Sequence, residues 1–332
     1  MASESAVILA GAVAKGAFEA GALEVLAPRV EALNITHAVG ASAGALNASL
    51  FAVGLRARAE REVTQALVAL WSDAATWHNV VDVNWRDIFS LTGVGTADRV
   101  LELMLKACAG LSSASPRRVD VSLVLTALAG SSGNIGPEVA TTFEHSVRFQ
   151  DDELDATEDR ERLFRTALAS AAFPVLFAPV DVPEVGLCID GGAVNNAPVR
   201  LALSGQGRVD RIIVISPEPL LSRPPVPLSG LNLLGHVAEI LINERLYRDL
   251  HEAASVNENL HKLERLKAEG VPADAIERVK RELGWQPLEI IQIRPTRPLE
   301  GNAFEAFGKP ALREAYIKAG RDAAQATLAE LS

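Results

Sequence analysis

The chain is poor in the residues that build metal and disulfide frameworks. Only 2 cysteines occur in 332 residues, Cys108 and Cys188. They match no metal-ligand spacing, so two reduced, buried thiols in a reducing compartment are expected. No apolar run approaches the length of about 18 residues that a bilayer span needs. The apolar run Ala6 to Ala14 has no basic leader, so no signal peptide is expected either. Positive charge is also in short supply, 32 Lys and Arg against 42 Asp and Glu, and the net charge of −10 argues against a nucleic-acid partner and against general attraction to anionic membranes. The expectation is a cytoplasmic protein that meets lipid, if at all, from the aqueous side, as a peripheral membrane contact. The 6 histidines are His37, His78, His145, His236, His251 and His261. None lies on a loop after a late strand, where an α/β-hydrolase carries its histidine. No internal repeat is present.

What is there is globular. Apolar residues make up 48% and charged residues 22%, ample for one large α/β domain or two smaller ones. Val7-Ile8-Leu9 reads as a strand. It runs through the turn-rich Gly11-Ala12-Val13-Ala14-Lys15-Gly16 into a helix with Phe18, Gly21, Ala22, Val25 and Leu26 on one face. Ile35 to Val39 is the next strand, and a β-α-β opening implies a parallel sheet covered on both faces. Helices are predicted over Arg58 to Trp71 and around Leu101 to Cys108, and strands over Val119 to Thr126 and, more weakly, Ala140 to Phe149. Trp77 and Trp85 read as a satellite cluster under a long loop. The acidic stretch Asp151 to Glu161 reads as a solvated loop and helix start, not a metal site. A helix through Phe164, Ala167, Leu168, Ala171 and Ala172 stops at Phe173-Pro174, because the residue before proline disfavours helical geometry. Val175 to Val182 and Val185 to Ile189 are extended, and Arg211 to Ser216 is a buried strand before the proline-rich Pro217 to Pro227. Leu231 to Glu282 reads as almost wholly helical, followed by a strand over Leu288 to Ile293 and a helix with Leu312, Ala315, Tyr316, Ala319 and Gly320 on one face.

Two short motifs carry chemistry. Gly40-Ala41-Ser42-Ala43-Gly44 is a G-x-S-x-G pattern between a predicted strand and a predicted helix, the setting in which small neighbours let the backbone bend and expose a serine hydroxyl. Unpaired N–H groups at the helix start favour a developing oxyanion there. A serine that merely caps the helix gives the same local sequence. Asp190, at the end of a predicted strand and followed by Gly191 and Gly192, is the candidate base, although Asp-Gly-Gly alone also describes a hairpin turn. The Gly11 to Gly16 loop is no P-loop, because Lys15 precedes the second glycine and Ala17-Phe18 follow it. It is no dinucleotide fingerprint either, because Val13 replaces the middle glycine.

Taken together, the loop Gly11 to Gly16, Gly40 to Gly44, the segment Ala169-Ser170-Ala171-Ala172-Phe173-Pro174 and Asp190-Gly191-Gly192 followed by Asn195 and Pro198 resemble the patatin-like phospholipases. The resemblance runs from about Ala6 to Ser216 and again after Leu288. It implies a three-layer α/β/α fold with a mostly parallel central sheet, to which the helical region adds. It also implies a Ser-Asp dyad of Ser42 and Asp190, an oxyanion hole from Gly11, Ala12, Val13, Ala14, Lys15 and Gly16, and no metal or organic cofactor. The expected function is hydrolysis of fatty acyl esters of phospholipid or neutral lipid through an acyl-enzyme. The expected organisation is a catalytic core over 1–225, a helical insertion over 226–286 serving as lid, dimer contact or sheet-covering layer, and a closing strand and helix over 287–332. A dyad needs a desolvated Asp190, because an ordinary carboxylate is a poor base toward an alcohol. The loop departs from the family pattern at Ala12 and Val13. If residue 13 requires positive φ, a β-branched side chain is disfavoured there. One alternative is therefore a lipid-binding or scaffold protein with weakened catalysis, and a separate one is a general carboxylesterase acting on short acyl chains. Headgroup, chain length and oligomeric state are not encoded in any motif.

Overall fold

The computed structural model describes residues 4–80, 98–135, 138–174, 176–203, 209–219, 231–302 and 304–331. In chain order its first elements are β1 (Glu4–Leu9), α1 (Gly16–Leu26), α2 (Val30–Leu33), β2 (Ile35–Gly40), α3 (Ala43–Ala57), α4 (Glu60–Ala69), α5 (Trp77–Val80) and α6 (Asp98–Ala107). The long hairpin β3 (Asp120–Ile135) and β4 (Glu138–Gln150) follows, then α7 (Thr157–Ser170), β5 (Val180–Val182), β6 (Gly186–Ile189), α8 (Val199–Leu203) and β7 (Val209–Ile215). The remainder is α9 (Leu231–Ala268), α10 (Ala273–Leu283), β8 (Glu289–Ile293) and α11 (Pro310–Glu330).

The sheet runs β5-β6-β3-β2-β1-β7-β8, with β4 paired to β3. Strands β3, β2, β1, β7 and β8 are mutually parallel, whereas β4 and β6 each pair antiparallel with β3 and β5 pairs antiparallel with β6. The period of two along each parallel strand sorts its side chains between two layers. Val7, Leu9, Ile213, Ile215, Ile291 and Ile293 face the layer of α1, α3, α7 and α11, where Phe18, Phe51, Phe164 and Tyr316 are buried. Ala6, Ile8, Ile212 and Val214 face the opposite layer, covered by Val199, Leu246, Leu250 and Ala253. Burial on both faces explains why these strands read as continuous apolar runs.

Helix α1 is buried almost all round, more than its one apolar stripe predicts, because α11 lies across it. The two backbones meet at glycines: a Cβ on Gly21 would overlap the Ile317 carbonyl, and one on Gly320 would overlap that of Phe18. Within the predicted helical insertion, the middle of α9 buries Leu246 and Leu250 on the sheet and so forms a covering layer. The apolar side chains of Leu234, Val237, Ala238, Leu241 and Ile242, together with Arg245, lie outside the described side chains. Arg248, Lys262 and Lys267 pair with Glu244, Glu258 and Glu264, so these positive charges of the helical region are offset locally. Trp77 stacks edge-on to Phe307 with ring centroids 5.1 Å apart. Trp85, Val175 and most of the proline-rich Pro217 to Pro227 lie outside the described residues. Cys108 and Cys188 are free and buried, and burial pushes both thiols up.

Candidate active site

The register of the sheet brings the two motifs together. Leu9 of β1 is level with Gly40 of β2 and with Ile215 of β7, so the loop after β1 and the turn after β2 leave the same edge side by side. Strand β3 passes Gly40 at Leu123 and continues to Thr126, which pairs with Ile189 at the end of β6. The Thr126 hydroxyl donates to the Asp190 carbonyl at 2.7 Å and fixes the turn that follows.

Ser42 occupies the turn between β2 and α3 with φ 53° and ψ −130°, a conformation that costs about 1–3 kcal/mol for a residue with a side chain. The surrounding backbone enforces it. A Cβ on Gly44 would overlap the Leu9 carbonyl, and one on Gly40 would overlap that of Gly44, so only glycine admits this bend. The Ser42 N–H donates to the Ser170 hydroxyl at 3.0 Å. Its own Oγ donates to Asp190 Oδ2 at 2.6 Å. The other Asp190 oxygen accepts the Gly192 N–H at 2.7 Å. Asp190 is 4% exposed, and burial pushes its pKa up to about 6 against the opposing hydrogen bonds from Ser42 and Gly192. No histidine lines the cavity here among the described residues. His37 lies within β2, three positions before Gly40, with Nε2 3.0 Å from the Asp120 carboxylate.

The loop after β1 is clipped on one side by Asn196: the Gly11 N–H donates to the Asn196 carbonyl at 3.1 Å, and Asn196 Nδ2 donates to the Gly11 carbonyl at 2.9 Å. The Lys15 N–H donates to the Ala12 carbonyl, and the Gly16 N–H to those of Val13 and Ala14. The N–H groups of Ala12, Val13 and Ala14 have no acceptor among the described residues. Val13 does take positive φ, 51°. A β-branched residue thus follows the path that a glycine would follow freely, at a cost in strain. Val13→Gly is therefore expected to raise stability by about 1 kcal/mol, the strain released exceeding the entropy that glycine adds to the unfolded chain. It should leave kcat on short esters essentially unchanged, and a lower melting temperature or a large gain in rate would contradict this.

Behind the loop, Asn47 donates from Nδ2 to the Gly16 carbonyl at 3.0 Å and to Glu19 Oε2 at 2.7 Å, and accepts from Trp71 Nε1 at 2.8 Å. Glu19 is fully buried, and burial pushes its pKa well above the ordinary value despite the Asn47 hydrogen bond. A carboxyl of raised pKa binds its proton more tightly in the folded chain, so its contribution to stability is complete below about pH 4.5 and declines as pH rises toward the folded value. Glu19→Gln should match the parent in thermal melts at pH 4 and melt higher at pH 8. Equal melting temperatures at pH 8 would show that burial does not penalise this charge.

Ser42 and Asp190 open on an apolar cavity of about 630 Å³, within the range of small-molecule sites. Val13, Leu46, Leu50, Trp71, Met104 and Phe173 contribute to its wall. Charged residues from α7, among them Glu158, Glu161, Arg162 and Arg165, also line it. None of its described lining residues comes from 226–286. Among the described residues no group of three or more His, Cys, Asp or Glu side chains could hold a metal ion, and no helix is long and apolar enough to cross a membrane. Ser170, Asn196, Asn47 and Glu19 were not singled out by the sequence reading. Ser170 and Asn196 lie inside the motifs that carried the resemblance, whereas Asn47 and Glu19 show only as polar residues within apolar helical stretches.

A mostly parallel sheet between helical layers, with a serine on a strained strand-to-helix turn, defines the class as a three-layer α/β/α protein. The family model described as patatin-like phospholipase matches residues 7–203, and the chain belongs to that family. Its members are in general lipid acyl hydrolases. Among solved structures, the crystal structure of VipD from Legionella pneumophila is similar at 16% identity, with 99% of this chain and 67% of that chain covered and a TM-score of 0.41. No curated relative matches the sequence.

Proposed function

We propose that the chain is a serine acyl-ester hydrolase that cleaves fatty acyl esters of phospholipid or neutral lipid through a dyad of Ser42 and Asp190. The observation that carries this reading is the 2.6 Å hydrogen bond from Ser42 Oγ to a buried Asp190 at the wall of an apolar cavity. Ionised Asp190 takes the hydroxyl proton as Ser42 Oγ attacks the ester carbonyl. The oxyanion that forms is met by the N–H groups of Ala12, Val13 and Ala14. Asp190 then returns the proton to the leaving alcohol, and the acyl group stays on Ser42. Water, deprotonated by Asp190, attacks the acyl-enzyme, and the fatty acid leaves. The acyl chain lies in the cavity, and the lipid is reached by peripheral contact with its surface. The positive φ of Val13 favours a working loop over a weakened one, since the backbone follows the glycine path despite the side chain. In this reading 1–225 and 287–332 form the catalytic core, and 226–286 adds a helical layer on its far face.

The test is a fluorophosphonate probe together with nitrophenyl esters of graded chain length. The expected outcome is covalent labelling located at Ser42 by peptide mass, with hydrolysis that rises from short to medium chains as the cavity fills. Binding of lipid vesicles without labelling or turnover would sink the hydrolase in favour of a lipid-binding protein, and a profile confined to the shortest esters would make it a carboxylesterase.

A further inference from the structure

We propose that Lys15 and Glu218 form a buried ion pair that positions the oxyanion loop, and that the Lys15 ammonium does not itself touch the reacting oxygen. The inference rests on the hydrolase reading above. Lys15 is the one charged residue of the loop, and a cation beside an oxyanion site would ordinarily be read as part of it. The geometry directs it elsewhere. Its Nζ lies 2.5 Å from Glu218 Oε1, with Lys15 4% and Glu218 6% exposed. Among the described residues that line the cavity neither of the pair is found, whereas Val13, two positions earlier, is. Lys15 closes the short 3-10 turn that begins at Val13, and Glu218 follows β7, 203 residues further on. The strained Val13 is thus bracketed: Asn196 holds the loop before it at Gly11, and Glu218 holds it after at Lys15.

A second cation makes the pair asymmetric. Arg294, directly after β8, has a pKa lowered by burial and pushed back up by the charge of Glu218, and its Nε has no hydrogen-bond partner among the described residues. The charge of Glu218 therefore acts on a second cation as well as pairing with Lys15. Removing Lys15 leaves Glu218 still under the influence of Arg294, whereas neutralising Glu218 withdraws the carboxylate from a buried Lys15 and a half-buried Arg294 alike, the costlier outcome. A positioning role thus predicts that Glu218, which is not in the loop at all, matters to the rate at least as much as Lys15. A direct contact between Lys15 and the oxyanion predicts the reverse.

The experiment compares the full chain with Lys15→Met, Glu218→Gln, the double variant and Glu218→Asp, which keeps the charge but withdraws it from Lys15. The readouts are kcat and KM on a nitrophenyl ester and the melting temperature. Each single neutralisation is expected to lower kcat by about 100-fold at unchanged KM, the scale of a misplaced reacting group. Glu218→Gln should be at least as severe as Lys15→Met, the double variant no worse than Glu218→Gln, and Glu218→Asp impaired in kcat while melting near the parent. Parental kcat in Glu218→Asp or Glu218→Gln beside a disabled Lys15→Met, or losses that multiply in the double variant, would overturn the proposal. Should Glu218→Gln not fold, Glu218→Asp decides between the two roles. A parent inert toward every ester overturns the hydrolase reading instead. The pair is then judged by melting temperature alone, where strictly additive losses count against it.

Discussion

Ser42→Ala is expected to lower kcat toward a nitrophenyl ester by on the order of a millionfold and to abolish fluorophosphonate labelling, while the protein melts near the parent. The size of the effect follows from the chemistry. Without Oγ no acyl-enzyme forms, and what remains is unassisted attack by water on a carbonyl held in the cavity and polarised by the loop. The small structural effect follows from the contacts. The strained turn is held by the Ser42 N–H on Ser170 and by the Gly40 and Gly44 approaches, none of which uses the hydroxyl. Rates within tenfold of the parent would remove Ser42 from the mechanism, whatever the family.

Asp190→Asn should cost about 10⁴-fold in kcat, since an amide cannot take the serine proton, and the double variant with Ser42→Ala should be no slower than Ser42→Ala alone because the two act as one unit. In the parent, kcat/KM should rise with pH to a plateau with an apparent pKa of about 6, because only ionised Asp190 is a base and burial holds its pKa there. Stability should move the opposite way. The folded pKa lies above the ordinary 3.8, so the contribution of Asp190 to stability is complete below about pH 4 and is lost as pH rises through about 6. A rise from 3.8 to about 6 corresponds to roughly 3 kcal/mol, which Asp190→Asn should recover at pH 8. A flat rate profile between pH 5 and pH 8, or an asparagine variant no more stable at pH 8, would place the charge elsewhere. Gains of this sign at a working site express the usual conflict between stability and activity.

Much of the architecture was legible because it depends on local pattern. The runs Val7 to Leu9, Ile35 to Val39 and Arg211 to Ser216 announce buried parallel strands, and Pro174 sets a limit to the preceding helix. Ser42 and Asp190 stand out in the sequence inside glycine-rich turns, and the fold brings them within hydrogen-bonding distance. What the sequence could not show is any relation across the chain. The sequence separations of 148 between Ser42 and Asp190 and of 203 between Lys15 and Glu218 are closed only by sheet register. Glu218 sits at the start of a proline-rich turn after a strand, a setting that carries no chemical signature, so no spacing could nominate it. The fate of Val13 was equally hidden: whether a β-branched residue is driven to positive φ depends on what clamps the loop at Gly11 and Lys15, and both clamps come from distant segments.

The glycine-to-glycine crossing of α1 and α11 has a consequence for how the protein comes into being. The helix that leaves the oxyanion loop is synthesised early, yet the helix that covers it arrives about three hundred residues later. Until then Phe18 and Leu23 lack part of their cover, and long-range closure of this kind is slow and exposes apolar surface in the meantime. A growing chain therefore carries the serine, the aspartate and the loop well before it can hold them in working order. The completed site thus waits on α11, and the order of the sequence sets when the fold can close.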